Sequence, residues 1–262
     1  MTKQKDIGIV LSGGGARGVA HAGILKALKE QGVEPMLISG SSVGAMVGAL
    51  YAAGHESEQI TEFFKQNTNI FRWQFFSRKM PGFLDMDNYA DVFSPWLQGH
   101  NFESLSKELH ICVTDVLKGE SRFFSSGELV RPILASAAVP GVFSPVEIDD
   151  DWYIDGGTMN NLPVEPLLDR CKLLFGSYVS PHKIIQKTDL SNTLKLINRA
   201  NDLGYYASSL NKFRFCDFVF VPQKLENYGL FDVKKLDEIF EVGYKYANEV
   251  MKDFMPLIEK SV

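Results

Sequence analysis

Two apolar runs, each followed at once by a glycine-containing turn and then a helix-forming stretch, fill the first fifty residues or so. Ile7 to Leu11 reads as a buried strand, Ser12 to Gly18 as a glycine loop, and Arg17 to Gln31 as a helix with Ala20, Ile24, Leu25 and Leu28 on one face. Met36 to Ser39 reads as a second strand and Val43 to Ala53 as a second helix, ended by Gly54. Successive β-turn-α units require parallel strands joined by crossover helices. Further strands are predicted at Leu109–Val116, Arg122–Ser125, Trp152–Ile154, Leu173–Val179 and Phe218–Val221. Helices are predicted at Tyr89–Leu97, Glu128–Ala138, Thr188–Leu210 and Val233–Ile258. The expected fold is therefore α/β, a three-layer α/β/α arrangement around a central, mostly parallel sheet. No repeat or long linker divides the chain, so residues 1–262 are read as one domain, with the motifs in about 7–180 and the C-terminal helix packed on it.

The second turn carries the most specific chemistry. Gly40-Ser41-Ser42-Val43-Gly44 has the G-x-S-x-G pattern in a strand-to-helix setting. A nucleophile elbow is a sharp turn of this kind, which pushes one serine oxygen out of the backbone. Gly40 and Gly44 then lack a Cβ because one would collide across the turn. Ser42 is the candidate nucleophile.

The first loop, Gly13-Gly14-Gly15-Ala16-Arg17-Gly18, formally satisfies G-x-G-x-x-G, so a nucleotide-binding module has to be weighed. That fingerprint calls for an acidic residue closing the second strand. Here the strand ends in Ser39-Gly40, and the nearest acid, Glu34, precedes it. A Walker loop fails as well, because Gly18 is followed by Val19 rather than Lys. What remains is a bank of N–H groups at a helix N-terminus, suited to negative charge. Beside an elbow serine, Gly13, Gly14, Gly15 and Gly18 would form an oxyanion hole, with Arg17 adding positive field.

The base is sought among five histidines and the later acids. His21 alone lies near the glycine loop, one turn into its helix, and is read as structural. Asp155, in Tyr153-Ile154-Asp155-Gly156-Gly157, ends an apolar strand and is the better candidate, although Asp-Gly-Gly by itself is an ordinary turn signal.

Taken together, these motifs resemble the patatin-like phospholipases, especially compact bacterial members. The features are the G-G-G-x-R-G loop at Gly13–Gly18, the elbow at Gly40–Gly44 and Asp155-Gly156-Gly157. Added to them are His21-x-Gly23, Ala135 to Pro140 before Phe143-x-Pro145, and Asn161-Leu162-Pro163. The resemblance implies a Ser–Asp dyad, with Ser42 as nucleophile and Asp155 as proton acceptor. It also implies a serine acyl hydrolase that cleaves carboxylic esters of lipids through an acyl-enzyme. A lipid transacylase with the same dyad is the alternative. No cofactor or metal is expected.

The remaining features bound the partners. A net charge of −5 argues against nucleic acid as a partner. Three unpatterned cysteines suit a reducing cytoplasm, and the polar Met1 to Asp6 carries no export signal. A cytoplasmic location is expected. Residues 63–84 interleave Phe63, Phe64, Phe71, Trp73, Phe75, Phe76 and Phe83 with Lys65, Arg72, Arg78 and Lys79. This segment reads either as a cap on the core or as a peripheral contact with a membrane surface. Asp149-Asp150-Asp151 reads as a hairpin tip rather than a calcium loop. The C-terminal helix is expected to pack against the domain rather than form a dimer seam, and the oligomeric state stays open.

Overall fold

The computed structural model describes residues 7–68, 86–97, 99 and 101–261. Strand β1 (Ile7–Leu11) pairs in parallel with β2 (Leu37–Ser41), and β2 pairs in parallel with β3 (Glu108–Asp115). An antiparallel branch follows: β4 (Glu120–Phe124) pairs with β3, and β5 (Val146–Ile148) forms a hairpin with β6 (Asp151–Asp155). On the other side of β1, β7 (Leu173–Ser177) and β8 (Phe218–Phe220) extend the parallel sheet. The fold is mixed α/β, with a central, mostly parallel sheet.

Both faces of β1 are buried, as a central parallel strand requires. Ile9 and Leu11 belong to the main core, whereas Val10 packs on the opposite face with Leu37, Leu162, Leu167 and Leu174. The main core is covered by α1 (Val19–Glu30), α2 (Val43–Ala52) and α3 (Ser57–Gln66). The short α4 (Ala90–Phe93) and α5 (Val130–Ser136) complete this side near the sheet. The opposite layer is thinner: the 3₁₀ turns Glu165–Leu167 and Phe213–Phe215 supply its packing residues, beside the long α6 (Thr193–Leu210).

Every residue of α2 is buried, so it reads as apolar all round rather than on one face. The C-terminal helix α7 (Leu236–Ser261) packs chiefly on α1 rather than directly on the sheet. Glycines make that crossing close: a Cβ on Gly243 would lie 2.2 Å from the Ala20 carbonyl oxygen. The far end of α7 does reach the sheet, where the Phe254 ring is 5.0 Å from that of Phe218.

Two expectations need correction. Phe63 and Phe64 belong to helix α3 and not to the aromatic segment that follows them. At helical spacing from Ile60 they point into the core, and both are fully buried. Lys65 is exposed and reaches Asp237 on α7 at 3.0 Å. Residues 69–85, which hold the rest of the expected membrane contact, lie outside the described residues. The helix expected at Tyr89–Leu97 contracts to one turn, Ala90–Phe93, preceded by the 3₁₀ turn Met86–Tyr89. The acidic triplet is a hairpin tip, as expected: Asp149 and Asp150 adopt φ of 51° and 66° between β5 and β6. Among the described residues no helix is long and apolar enough to cross a membrane.

Candidate active site

Strand β3 acts as the ruler for the site. Along one edge it pairs in parallel with β2 up to Ser41 opposite Cys112. One residue later it pairs with β6, Asp155 opposite Val113. The other edge is taken by β4 at both positions, so β2 and β6 must abut end to end on the same side. Their C-terminal residues therefore meet, β6 running antiparallel to β3 in an otherwise mostly parallel sheet. Ser42 Oγ donates a hydrogen bond to Asp155 Oδ2 at 2.6 Å, across 113 residues of chain.

Ser42 has φ 54° and ψ −128° at the N-cap of α2, a conformation that a non-glycine residue adopts only under constraint. The turn is enforced from both sides. A Cβ on Gly40 would lie 2.6 Å from the Gly44 carbonyl, and one on Gly44 would lie 2.3 Å from the Leu11 carbonyl oxygen. The Ser42 N–H donates to Ser136 Oγ at 2.9 Å, and Ser136 Oγ donates to the Cys112 carbonyl at 2.6 Å. Ser136 thus ties the elbow to β3. Because the strain sits on Ser42 itself, Ser42→Gly is expected to be more stable than Ser42→Ala by about 1 kcal/mol, measured by urea unfolding. Equal stability would mean that the elbow stores no strain.

Asp155 is 3% exposed. Its Oδ1 accepts from the Gly157 N–H at 2.7 Å, and its own N–H donates to the Ala138 carbonyl at 3.0 Å. Burial raises its carboxyl to about 6, against the smaller opposing effects of the Ser42 and Gly157 hydrogen bonds. Gly156 fills the junction of β2 and β6, where a Cβ would lie 2.2 Å from the Cys112 carbonyl oxygen.

The glycine loop divides by role. The Gly13 N–H is taken by the Asn161 carbonyl at 3.2 Å. Gly14 and Gly15 line the cavity beside Ser42, and among the described residues their N–H groups meet no acceptor. Gly18 lies off the cavity against Val43, which a Cβ would overlap. Arg17 also turns away. Its Nη2 donates to Ser180 Oγ at 3.1 Å and sits 3.7 Å from Asp202, while its Nε donates to the Gly14 carbonyl at 3.3 Å. The guanidinium therefore clamps the loop from behind instead of facing the cavity. Of the five residues expected around an oxyanion hole, Gly14 and Gly15 are the ones that line the cavity with N–H groups free of an acceptor among the described residues.

His21 is fully buried. Nε2 lies 2.9 Å from the Ser12 carbonyl, which can only accept, so Nδ1 accepts from Ser177 Oγ at 2.6 Å. Burial lowers the imidazole to about 4. Both ring nitrogens are engaged away from Ser42, and His21 holds the base of the glycine loop.

Ser42 and Asp155 open into a cavity of about 440 Å³. Met46, Val139, Val142 and Phe143 form an apolar wall, and Ile197, Tyr205 and Phe231 close the other side. This second wall comes from the C-terminal third, where the sequence carries no recognisable motif. A signal is present in α6 as an apolar spacing, but nothing in it ties that helix to Ser42. Ser136 and Asn161 lie within recognised motifs, yet their bonding roles emerge only once the strands are paired.

A family model described as patatin-like phospholipase matches residues 9–168. The chain belongs to the patatin-like phospholipase family. Among its relatives, the lysophospholipase NTE1 of Kluyveromyces lactis is 28% identical over 94% of this chain and 19% of its own length. An uncharacterized NTE family protein of Mycobacterium bovis is 36% identical over 62% of this chain and 45% of its own. This patatin-like chain thus spans about a fifth of the one relative and under half of the other. The solved structure of VipD from Legionella pneumophila aligns over 90% of this chain and 67% of that one, at 15% identity and a TM-score of 0.46. Both elbow and glycine loop fall within the matched span, as does Asp155.

Proposed function

We propose that the chain is a serine acyl hydrolase of lipid carboxylic esters, of the phospholipase A, lysophospholipase or esterase type. The observation that carries this reading is the 2.6 Å hydrogen bond from Ser42 to a buried Asp155 at the wall of an apolar cavity. Ser42 Oγ attacks the ester carbonyl carbon while its proton passes to Asp155 Oδ2. Negative charge on the former carbonyl oxygen is held by the Gly14 and Gly15 N–H groups, fixed in place before the reaction begins. As the C–O bond to the leaving alcohol breaks, Asp155 returns the proton to that oxygen. Water then attacks the acyl-enzyme, Asp155 takes its proton, and the fatty acid and free Ser42 are released. An ordinary aspartate is a poor base toward a hydroxyl. The elevated pKa of Asp155 narrows that gap, and the serine proton becomes more acidic as the C–O bond forms.

The apolar walls fit an acyl chain, and the lysophospholipase name of NTE1 directs attention to single-chain phospholipids. The test is turnover of a lysophospholipid, a diacyl phospholipid and a short p-nitrophenyl ester, with pH varied. Asp155 must be ionised to accept a proton, so kcat/KM is expected to rise with pH and level off above about 6. A bell-shaped profile, or no turnover of any ester, would defeat the reading.

A further inference from the structure

Helix α6 turns a row of apolar residues toward solvent. Leu196, Ala200, Leu203, Ala207 and Leu210 recur every three or four residues and are all exposed, Leu196 at 55%. Two polar residues of the helix turn the other way. Asp202 faces Arg17, and Ser209 is fully buried, donating to the Tyr205 carbonyl at 2.7 Å. A face left apolar toward water in this way marks an interaction surface.

Two observations select the occupant. The first is charge. Residues 180–216 hold six Lys or Arg against two Asp, a net +4 within a chain of net −5. Lys183, Lys187, Lys195 and Arg214 of this set are exposed. Pairing two copies through the stripe would set this positive segment against itself, whereas an anionic lipid surface complements it. The second is continuity. Ile197, Asn201 and Tyr205 on the adjoining side of the same helix line the cavity that holds Ser42, as does Phe231, which is 45% exposed.

We infer that α6 is the element that docks the protein on an anionic lipid surface, its leucine stripe entering the acyl boundary and its cations meeting the headgroups. The site mouth then opens onto the plane from which a lipid would enter. The benefit of docking rests on the lipid-ester reading, but docking itself does not. It is therefore measured in a Ser42→Ala background, by co-sedimentation with phosphatidylcholine vesicles with and without phosphatidylglycerol. Binding to the phosphatidylglycerol vesicles is expected. Leu196→Asn, Leu203→Asn and Leu210→Asn together are expected to lower it by about tenfold or more, since each removes exposed apolar surface from the contact. Lys187→Gln with Lys195→Gln is expected to remove several-fold of the preference for anionic vesicles at low salt, and little at high salt. Circular dichroism of the triple variant, and its turnover of a soluble ester with Ser42 restored, should match the parent. The inference is overturned if the parent ignores both vesicles, if the triple variant binds as well as the parent, or if gel filtration shows a dimer that the triple variant abolishes. Loss of ester turnover with intact vesicle binding would count against the catalytic reading alone.

Discussion

Ser42→Ala is expected to lower turnover of a soluble p-nitrophenyl ester by about 10⁴-fold or more, and Asp155→Asn by about 10³-fold or more, with the fold intact. The asparagine is nearly isosteric, and its amide oxygen can still accept the Gly157 N–H that now bonds Oδ1 at 2.7 Å. It has no site for the serine proton. Geometry is thus preserved while the base is removed, which makes the variant more informative than Asp155→Ala. The double variant should be no worse than Ser42→Ala, because the two residues act as one unit. His21→Asn should keep most of its turnover below its melting temperature, since both ring nitrogens bond Ser12 and Ser177 rather than Ser42. Measuring kcat/KM for these variants, with circular dichroism as a control, decides the matter. Asp155→Asn retaining more than a tenth of parent activity would remove the aspartate from the mechanism.

The second large effect is on stability, large above pH 6 and vanishing in acid. Burial raises Asp155 from 3.8 to about 6, so the folded protein gains stability from this group only when it is protonated. That contribution is full below about 4 and lost as pH rises through about 6. The difference corresponds to about 3 kcal/mol of strain carried by the ionised carboxylate at pH 8. Asp155→Asn is therefore expected to raise unfolding free energy by up to about 3 kcal/mol at pH 8, and by almost nothing at pH 4. His21 behaves in the reverse direction. Lowered from 6.5 to about 4, it contributes stability above 6.5 that is lost as pH falls through about 4. In the parent protein the two effects offset each other between those limits. In Asp155→Asn the loss from His21 stands alone, so this variant should become steadily less stable from pH 6.5 to 4. Urea unfolding at pH 8, 6 and 4 measures all of this. A parent and variant with parallel pH dependence would show that burial does not raise Asp155 above the ordinary aspartate range.

A candidate base that destabilises its own fold is consistent with the strained backbone beside it. Ser42 at φ 54° and the buried Asp155 both persist because the surrounding packing overdetermines them. Fully buried α2 and the Ser136 link to β3 supply that restraint. Stability and activity are therefore expected to trade against each other at these two positions.

Much of the fold is legible in the order of the amino acids. Among the described residues, seven of the eight strands follow from apolar runs to within a few residues, and β5 does not, because only three residues, Val146–Ile148, pair with β6. A run that short shows no periodicity. Helix α3 is hidden for a different reason: its aromatic residues merge by composition with those that follow, although Ile60, Phe63 and Phe64 have helical spacing. Helix α6 is recognisable, but its apolar stripe gives no sign of which side faces the domain. Periodicity reports that one face differs from the other, not which one is buried.

The range of an interaction separates what amino-acid order specifies from what folding adds. Gly40 and Gly44, the loop Gly13–Gly18 and the pair Asp155-Gly156 are local backbone requirements, so they are written in adjacent residues and place a turn without reference to the rest of the chain. Which donors remain free is a long-range outcome. Gly13 is spent on Asn161 and Arg17 on Ser180 and Asp202, partners that lie more than a hundred residues away. The Ser42–Asp155 contact depends on register in β3, where β2 ends opposite Cys112 and β6 opposite Val113. A slip of one residue would flip the slipped strand's side chains to the other face of the sheet, the carboxylate's strand if in the β6 pairing and the elbow's if in the β2 pairing. Register is set by the packing of the whole sheet, and no pentapeptide contains it.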